Sequence, residues 1–331
     1  MPDSSFVLSG ILNIQLFYKK FNVEGTEMMK KLLVMLGLGV MLTFTACGSD
    51  EKAQESTAVV SDVENETAEA DVEESVEETE IVFEEQVVVD NEDCLIKITG
   101  ITEDDIWGYT LNVYLENRST EKNYMFTVES AAINGVQCDP YFASEIAAGK
   151  KVNDEIIFNE VGSEEAGVGD YTDLELTFRV YDSDDWLADD VVNETIHVYP
   201  YGEENAVAFV RESKDTDNVV VDNENVTVIV TGYTEDEIWG YQVNLFLVNK
   251  TDKLLMFSTD NASVNGFMAD PFYACSVIPG KSAYSTISFS NEDLEANSIA
   301  AVETIEMNLR VYNYDDWSED DLVNEVITLN P

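Results

Sequence analysis

Thr102-Glu103-Asp104-Asp105-Ile106-Trp107-Gly108-Tyr109 returns as Thr234-Glu235-Asp236-Glu237-Ile238-Trp239-Gly240-Tyr241, displaced by 132 residues. Upstream, Val87-Val88-Val89-Asp90-Asn91-Glu92 recurs as Val219-Val220-Val221-Asp222-Asn223-Glu224 at the same spacing, and 18 of the 31 positions from 87 to 117 are identical in 219 to 249. Further on the offset becomes 131: Asn134-Gly135 with Asn265-Gly266, Asp139-Pro140 with Asp270-Pro271, Gly149-Lys150 with Gly280-Lys281, Arg179 with Arg310, and Asp185-Trp186 with Asp316-Trp317. The chain reads as a tandem duplication. A unit this long exceeds the roughly 20–50 residues of solenoid repeats, which need neighbours to complete a core, so each copy is expected to be a domain in its own right.

Within each copy apolar residues alternate at period two. Leu111, Val113 and Leu115 interleave with polar neighbours, as do Val243, Leu245 and Leu247. Leu174, Leu176, Phe178 and Val180 repeat the pattern, matched by Ile305, Met307, Leu309 and Val311. Such alternation marks strands with one buried and one wet face. Asn134-Gly135 and Asn265-Gly266, flanked by apolar residues, predict type I′ hairpins, because that turn requires positive φ at both central positions. Helical turns are expected only near 164–168 and 291–300. Seven or eight short strands in about 115 residues are the proportions of an immunoglobulin-like sandwich. The expected fold is all-β: sandwiches at 86–200 and 218–331, joined by a linker, 201–217, whose apolar run Ala206-Val207-Ala208-Phe209-Val210 could dock between them.

Asn117-Arg118-Ser119 at a strand end, Ile133-Asn134-Gly135 at a hairpin and Ala148-Gly149-Lys150 before a strand recur as Asn249-Lys250-Thr251, Val264-Asn265-Gly266 and Pro279-Gly280-Lys281. With these motifs both copies resemble the telokin-like, immunoglobulin-fold extracellular domains of Gram-positive bacterial lipoproteins. The resemblance implies fold and cell-surface location and brings no chemistry with it. The Cys…Trp…Cys core of antibody domains is missing.

The front of the chain carries an export pattern. Met28-Met29-Lys30-Lys31 precedes an apolar run from Leu32 to Leu42 and then Thr43-Phe44-Thr45-Ala46-Cys47-Gly48. The run is too short for a bilayer span, which needs about 20 residues, and 28–46 reads as a signal peptide. Ala46-Cys47 resembles the end of the bacterial lipobox, with Phe44 where that family usually has Leu, so Cys47 is the expected lipidation site. Two or more acyl chains there would hold the protein on the outer face of the cell membrane. Residues 1–27 fit no signal peptide. Glu24-Gly25 must be encoded by GARGGN just upstream of the Met28 codon, as a ribosome-binding site would be, so this stretch is expected to be untranslated or disordered. From Gly48 to Glu85, fifteen acids stand against one base and one aromatic residue. The segment 47–85 therefore reads as a self-repelling, disordered tether reaching on the order of 100 Å.

Across 331 residues, 67 acids face 17 bases for a formal net charge of -50. That balance excludes nucleic-acid partners, whose binding rests on Lys and Arg displacing counterions. Solubility outside the cell accounts for the acidity without a specific cationic partner. The single histidine, His197, has Thr328 as its counterpart, and no nucleophile elbow or metal-protease helix accompanies it, so no catalytic residue and no enzyme activity are expected. Cys94, Cys138 and Cys275 have Val226, Ala269 and Ser144 in the other copy. They read as buried thiols, although Cys94 and Cys138 could bridge.

Two motifs invite a ligand. The acidic pairs Asp104 and Asp105, Asp184 and Asp185, Asp236 and Glu237, and Asp315 and Asp316 suit calcium, but lack the glycine and closing glutamate of a calcium loop. If consecutive strands run antiparallel, the two clusters of one copy lie at opposite ends of its sandwich. Trp107, Trp186, Trp239 and Trp317 either plug the ends of the cores, the plainer reading, or stand exposed as platforms for sugar rings, with Tyr109, Tyr141, Phe142 and Tyr241, Phe272, Tyr273 beside them. The expectation is a non-enzymatic, lipid-anchored surface protein without cofactor, acting as an interaction or envelope-associated module toward a protein or glycan partner. A glycan- or calcium-binding protein is the alternative.

Overall fold

The computed structural model describes residues 83–104, 108–158, 168–185 and 187–331. The expected signal peptide, Cys47, the tether as far as 82, Asp105, Trp107 and Trp186 lie outside the described residues, as do the side chains of 103–108. The fold is all-β. The first copy runs β1 (Gln86–Asp90), β2 (Cys94–Asp104), β3 (Gly108–Asn117), β4 (Tyr124–Ile133), β5 (Val136–Cys138), β6 (Ala143–Ile146), β7 (Lys151–Phe158), β8 (Leu174–Asp182) and β9 (Val192–Val198). The second runs β10 (Asn218–Asp222), β11 (Val226–Asp236), β12 (Gly240–Asn249), β13 (Leu255–Val264), β14 (Phe267–Met268), β15 (Ala274–Val277), β16 (Ser282–Phe289), a short helix α1 (Asn291–Ala296), β17 (Ile305–Asn313) and β18 (Val323–Leu329). Each copy thus has more strands than expected, because the returns from the Asn-Gly hairpins are made of short pieces, β5 with β6 and β14 with β15.

In each sandwich one sheet has the order β1-β2-β3-β7 or β10-β11-β12-β16, and the facing sheet has β4-β8-β9 or β13-β17-β18 with the short strands on β4 or β13. Bulges fall at matching places, between Ile98 and Gly100 and between Val230 and Gly232. Two separate hydrophobic cores result. Phe126, Phe158 and Phe178 are fully buried in the first; Phe257 and Phe289 fill the second. Both hairpins adopt the expected turn, with φ of 52° and 86° at Asn134 and Gly135 and 51° and 82° at Asn265 and Gly266.

The duplicated Asn117 and Asn249 are 1% exposed, and the motif they head has a mechanical reason. Each stands where the chain leaves one sheet for the other. Asn249 Nδ2 donates to the carbonyls of Lys253 and Val277, both at 2.8 Å, while its Oδ1 accepts from Thr251 N at 2.9 Å and Thr251 Oγ1 at 2.7 Å. Asn117 does the same with Lys122, Ile146 and Ser119. One amide thereby ties two loops that would otherwise bury unpaired backbone groups.

The last residues of the expected tether belong to the first sandwich: Phe83 packs against its core and Glu85 pairs with Lys97 at 2.7 Å. The linker docks through one side chain of its apolar run, with the Val207 N–H donating to Thr172 Oγ1 at 2.9 Å beside it. Phe209 packs on the first core and meets Phe246 of the second copy edge to face at 6.4 Å, while Val207 and Val210 stay exposed. Arg211 lies over the same Phe246 ring and forks onto Asp217 at 2.7 and 2.8 Å. Beyond the linker, Ser282 N–H donates to the Gly135 carbonyl, and β16 and β5 share one parallel bridge, Ser282 with Val136. Sheets of both sandwiches therefore form one continuous path, joined at a single pair, while the cores stay distinct.

Asn249→Ala is expected to cost about 2–3 kcal/mol, the price of stranding buried carbonyls, and to leave the strand content unchanged. Urea denaturation of the full chain, with circular dichroism as the readout, measures it; a loss below about 1 kcal/mol would show that water takes the amide's place. Asp217 yields a pH signature. The Arg211 fork holds its carboxyl down to about 2, below the unfolded value near 3.9, and its side chain is only 7% exposed. The pair's stabilisation is therefore complete above about pH 4 and lost as pH falls through about 2, on the order of 2 kcal/mol in all. The stability gap between the native chain and Asp217→Asn should close across that window, and a gap independent of pH would refute the assignment.

Candidate functional site

The second copy displays its expected ligand residues at two loops. The turn between β11 and β12 carries Asp236, Glu237, Ile238 and Trp239. Asp236 Oδ1 accepts from the N–H groups of Ile238 and Trp239, both at 2.7 Å. Asn291 of α1 donates to the carbonyl of Asp236 at 3.2 Å. Gly240 then closes the loop at φ 79°, where a Cβ would stand 2.1 Å from the Phe289 carbonyl oxygen, so the Trp-Gly pairing is a backbone requirement. The geometry turns the side chains outward: Ile238 is 82% exposed and Trp239 42%. Asp236, Glu237, Tyr241, Asn291, Leu294 and Ile299 line an open, acidic cleft beside them.

The loop between β17 and β18 carries Tyr314, Asp315, Asp316 and Trp317. Arg310 fixes its far end, forking onto Asp321 at 2.8 and 3.1 Å and lying over the Tyr312 ring. Asp316 Oδ1 accepts from Ser318 N and Oγ, and these bonds hold its carboxyl below the usual carboxylate range. Trp317 is 78% exposed. In the first copy Arg179 meets both oxygens of Asp190 through Nε alone, each at 3.0 Å, and Asp182 Oδ1 accepts from Asp184 N at 3.1 Å.

Trp239 and Trp317 are exposed rather than core plugs, which corrects the plainer expectation for these two. The reason is local: in each loop an aspartate folds the backbone over itself and leaves the indole outside. The flanking aromatics divide. Tyr141 and Phe272 are largely exposed, whereas Tyr109 and Phe142 are buried and Tyr241 and Tyr273 pack against the second core.

The two acidic clusters of the second copy do not meet. Asp236 lies beside α1, whereas the 314–321 loop lies at the other end, where Lys253 pairs with Glu319 at 2.7 Å and Tyr314 N–H donates to Leu254. Among the described residues, no three His, Cys, Asp or Glu side chains come close enough to hold a metal ion. Of the calcium candidates, Asp236 and Asp316 use an oxygen to shape their own turns.

His197, half-exposed, bonds Asp173 at 2.7 Å through Nδ1 and Glu175 at 3.3 Å through Nε2, and its ring stacks on Tyr199. Cys94, Cys138 and Cys275 are free thiols; burial pushes the first two up to about 12, while Cys275 is only half-buried. Among the described residues no helix is long and apolar enough to cross a membrane.

What the sequence did not single out at the junction is its polar contacts. Gln137 bridges the copies, its Nε2 donating to Ser276 and its Oε1 accepting from Ile278 N, both at 2.8 Å. Lys281 meets Glu175 at 2.6 Å. The available signal was position 137 itself, a glutamine in a hairpin strand whose counterpart is Met268.

No family model matches the chain, and no curated protein does. Similar solved structures include the YadV chaperone, 10% identical over 72% of this chain and all of that one, with a TM-score of 0.20. A protein of unknown function from Porphyromonas gingivalis W83 is 12% identical over 75% of this chain and 99% of that one, with a TM-score of 0.19.

Proposed function

We propose that the chain is a non-enzymatic bacterial surface lipoprotein, tied to the outer face of the cell membrane through Cys47, whose duplicated telokin-like sandwiches act as an interaction module. The observation that carries the interaction reading is the exposed pair Trp239 and Trp317, held on loops braced by Asp236, Gly240 and the Arg310–Asp321 fork. Large apolar side chains on braced loops cost solvation in the free protein and gain when a partner covers them. The Met28–Cys47 pattern supports the anchor. Expressed in a Gram-positive host, the native chain should be recovered in the membrane fraction and take up labelled palmitate. Cys47→Ala should be unlabelled, and its equal retention and labelling would overturn the anchor.

A glycan-binding reading is favoured by the same indoles, since aromatic faces on a sandwich stack against sugar rings. Titration with cell-wall glycan fragments would then quench tryptophan fluorescence and lose that response in Trp239→Ala or Trp317→Ala. The calcium variant of that reading requires a rise in melting temperature with millimolar calcium. Calorimetry and fluorescence that stay flat leave the protein-partner reading standing.

A further inference from the structure

Inside the chain, the hairpin end of the first sandwich docks on the β16 edge of the second. The joint is made by Ser282 N–H to the Gly135 carbonyl, the Ser282–Val136 bridge, Phe246 under Phe209 and Arg211, the Lys281–Glu175 ion pair and the two bonds of Gln137. Duplication supplies the hairpin end and the receiving edge of this joint twice, although the linker residues Phe209 and Arg211 occur once, and one hairpin end and one edge are unused. The second sandwich carries its own hairpin end, where Asn265-Gly266 has the same φ values, Phe267 and Met268 are 49% and 69% exposed, and Glu306 stands exposed at the counterpart of Glu175. The first sandwich carries its own receiving edge, β7, with Lys151 at the counterpart of Ser282, exposed Lys150 at that of Lys281, and Tyr114 at that of Phe246.

We propose that these two ends bind each other between molecules, so that the hairpin end of one chain docks on β7 of a second copy and the protein assembles head to tail. The charges agree. Lys97 and Lys151 both lie over Tyr114, at 5.8 and 6.0 Å from the ring, and are paired with Glu85 and Glu116, so the charge this edge offers a partner is that of exposed Lys150 beside them. Glu303 and Glu306 flank the exposed Phe267 hairpin. Docking in the internal register pairs Lys150 with Glu306 and sets the Gly266 carbonyl against the Lys151 N–H. Met268 cannot reproduce the two bonds of Gln137, so the intermolecular joint is the weaker one, as suits a contact that lacks a covalent linker's effective concentration. The interface is heterologous, and an assembly built on it does not stop at two copies unless it closes into a ring. This deepens the interaction-module reading by naming a partner; it does not depend on the lipid anchor, which the fractionation above tests separately.

Sedimentation velocity of the full chain in a mild non-ionic detergent, at physiological salt to screen the shared negative charge, reads the assembly. The mean mass should rise with concentration past the dimer, and Phe267→Asp and Lys150→Glu should each abolish that rise while circular dichroism stays native. Lys150→Glu combined with Glu306→Lys should restore it. Mixing the Phe267→Asp chain, which keeps its receiving edge, with the Lys150→Glu chain, which keeps its hairpin end, should yield dimers and nothing larger. A chain that stays monomeric throughout, or association that survives both single substitutions, would overturn the proposal.

Discussion

A side-chain amide at the first crossover of each sandwich holds its two layers in register. Asn117 and Asn249 sit where the chain first steps from one sheet to the other, at the ends of β3 and β12, buried among strands whose own polar groups are already paired. Each amide both donates and accepts there, to loops on either side of it. Replacing that role with water would need room that packed layers do not provide. Everything downstream takes its position from that step: the hairpin, the short return strands, and the loops that display the tryptophans.

The junction works by a different principle. The cores are separate, so neither sandwich completes the other, and the link is made by a few polar bonds around one aromatic contact. Phe209 and Phe246 exclude water from the Arg211–Asp217 fork, and the low exposure of that fork strengthens it. The sheet path that crosses the junction does so at one bridge, which positions the two layers without merging them.

Alternation at Leu111–Leu115 and Leu174–Val180, and the two Asn-Gly pairs, made the strands and hairpins legible, because burial on one face imposes a period that composition cannot hide. The opposite placement of the second copy's acidic clusters is what strand parity implied on condition that every consecutive pair ran antiparallel. What the sequence hid depends on contacts between distant positions. Whether an indole next to aspartates points in or out is decided by which backbone N–H groups the aspartate captures, and Trp239 and Trp317 turned out while Tyr109 turned in. Strand breaks between β5 and β6 also escaped, since pieces of three and four residues carry too little pattern. The junction was half visible: the apolar run announced a docked linker, but only the Phe209 side chain docks, and Gln137, Lys281 and Glu175 are ordinary surface residues until a neighbour covers them.

The first strands of the two sandwiches have a consequence for how the chain reaches its native state. β1 and β10 carry the same Val-Val-Val-Asp sequence, with a bulge at the same place in the ladder each makes. Either would satisfy the other's partner strand, so the ladder itself does not tell a newly made polypeptide which of the two belongs where. Discrimination rests on connectivity: three residues, 91–93 and 223–225, join each strand to its own partner, so the local hairpin closes before a distant one can. Those two short turns act as address labels, guarding a duplicated molecule against strand exchange while it folds.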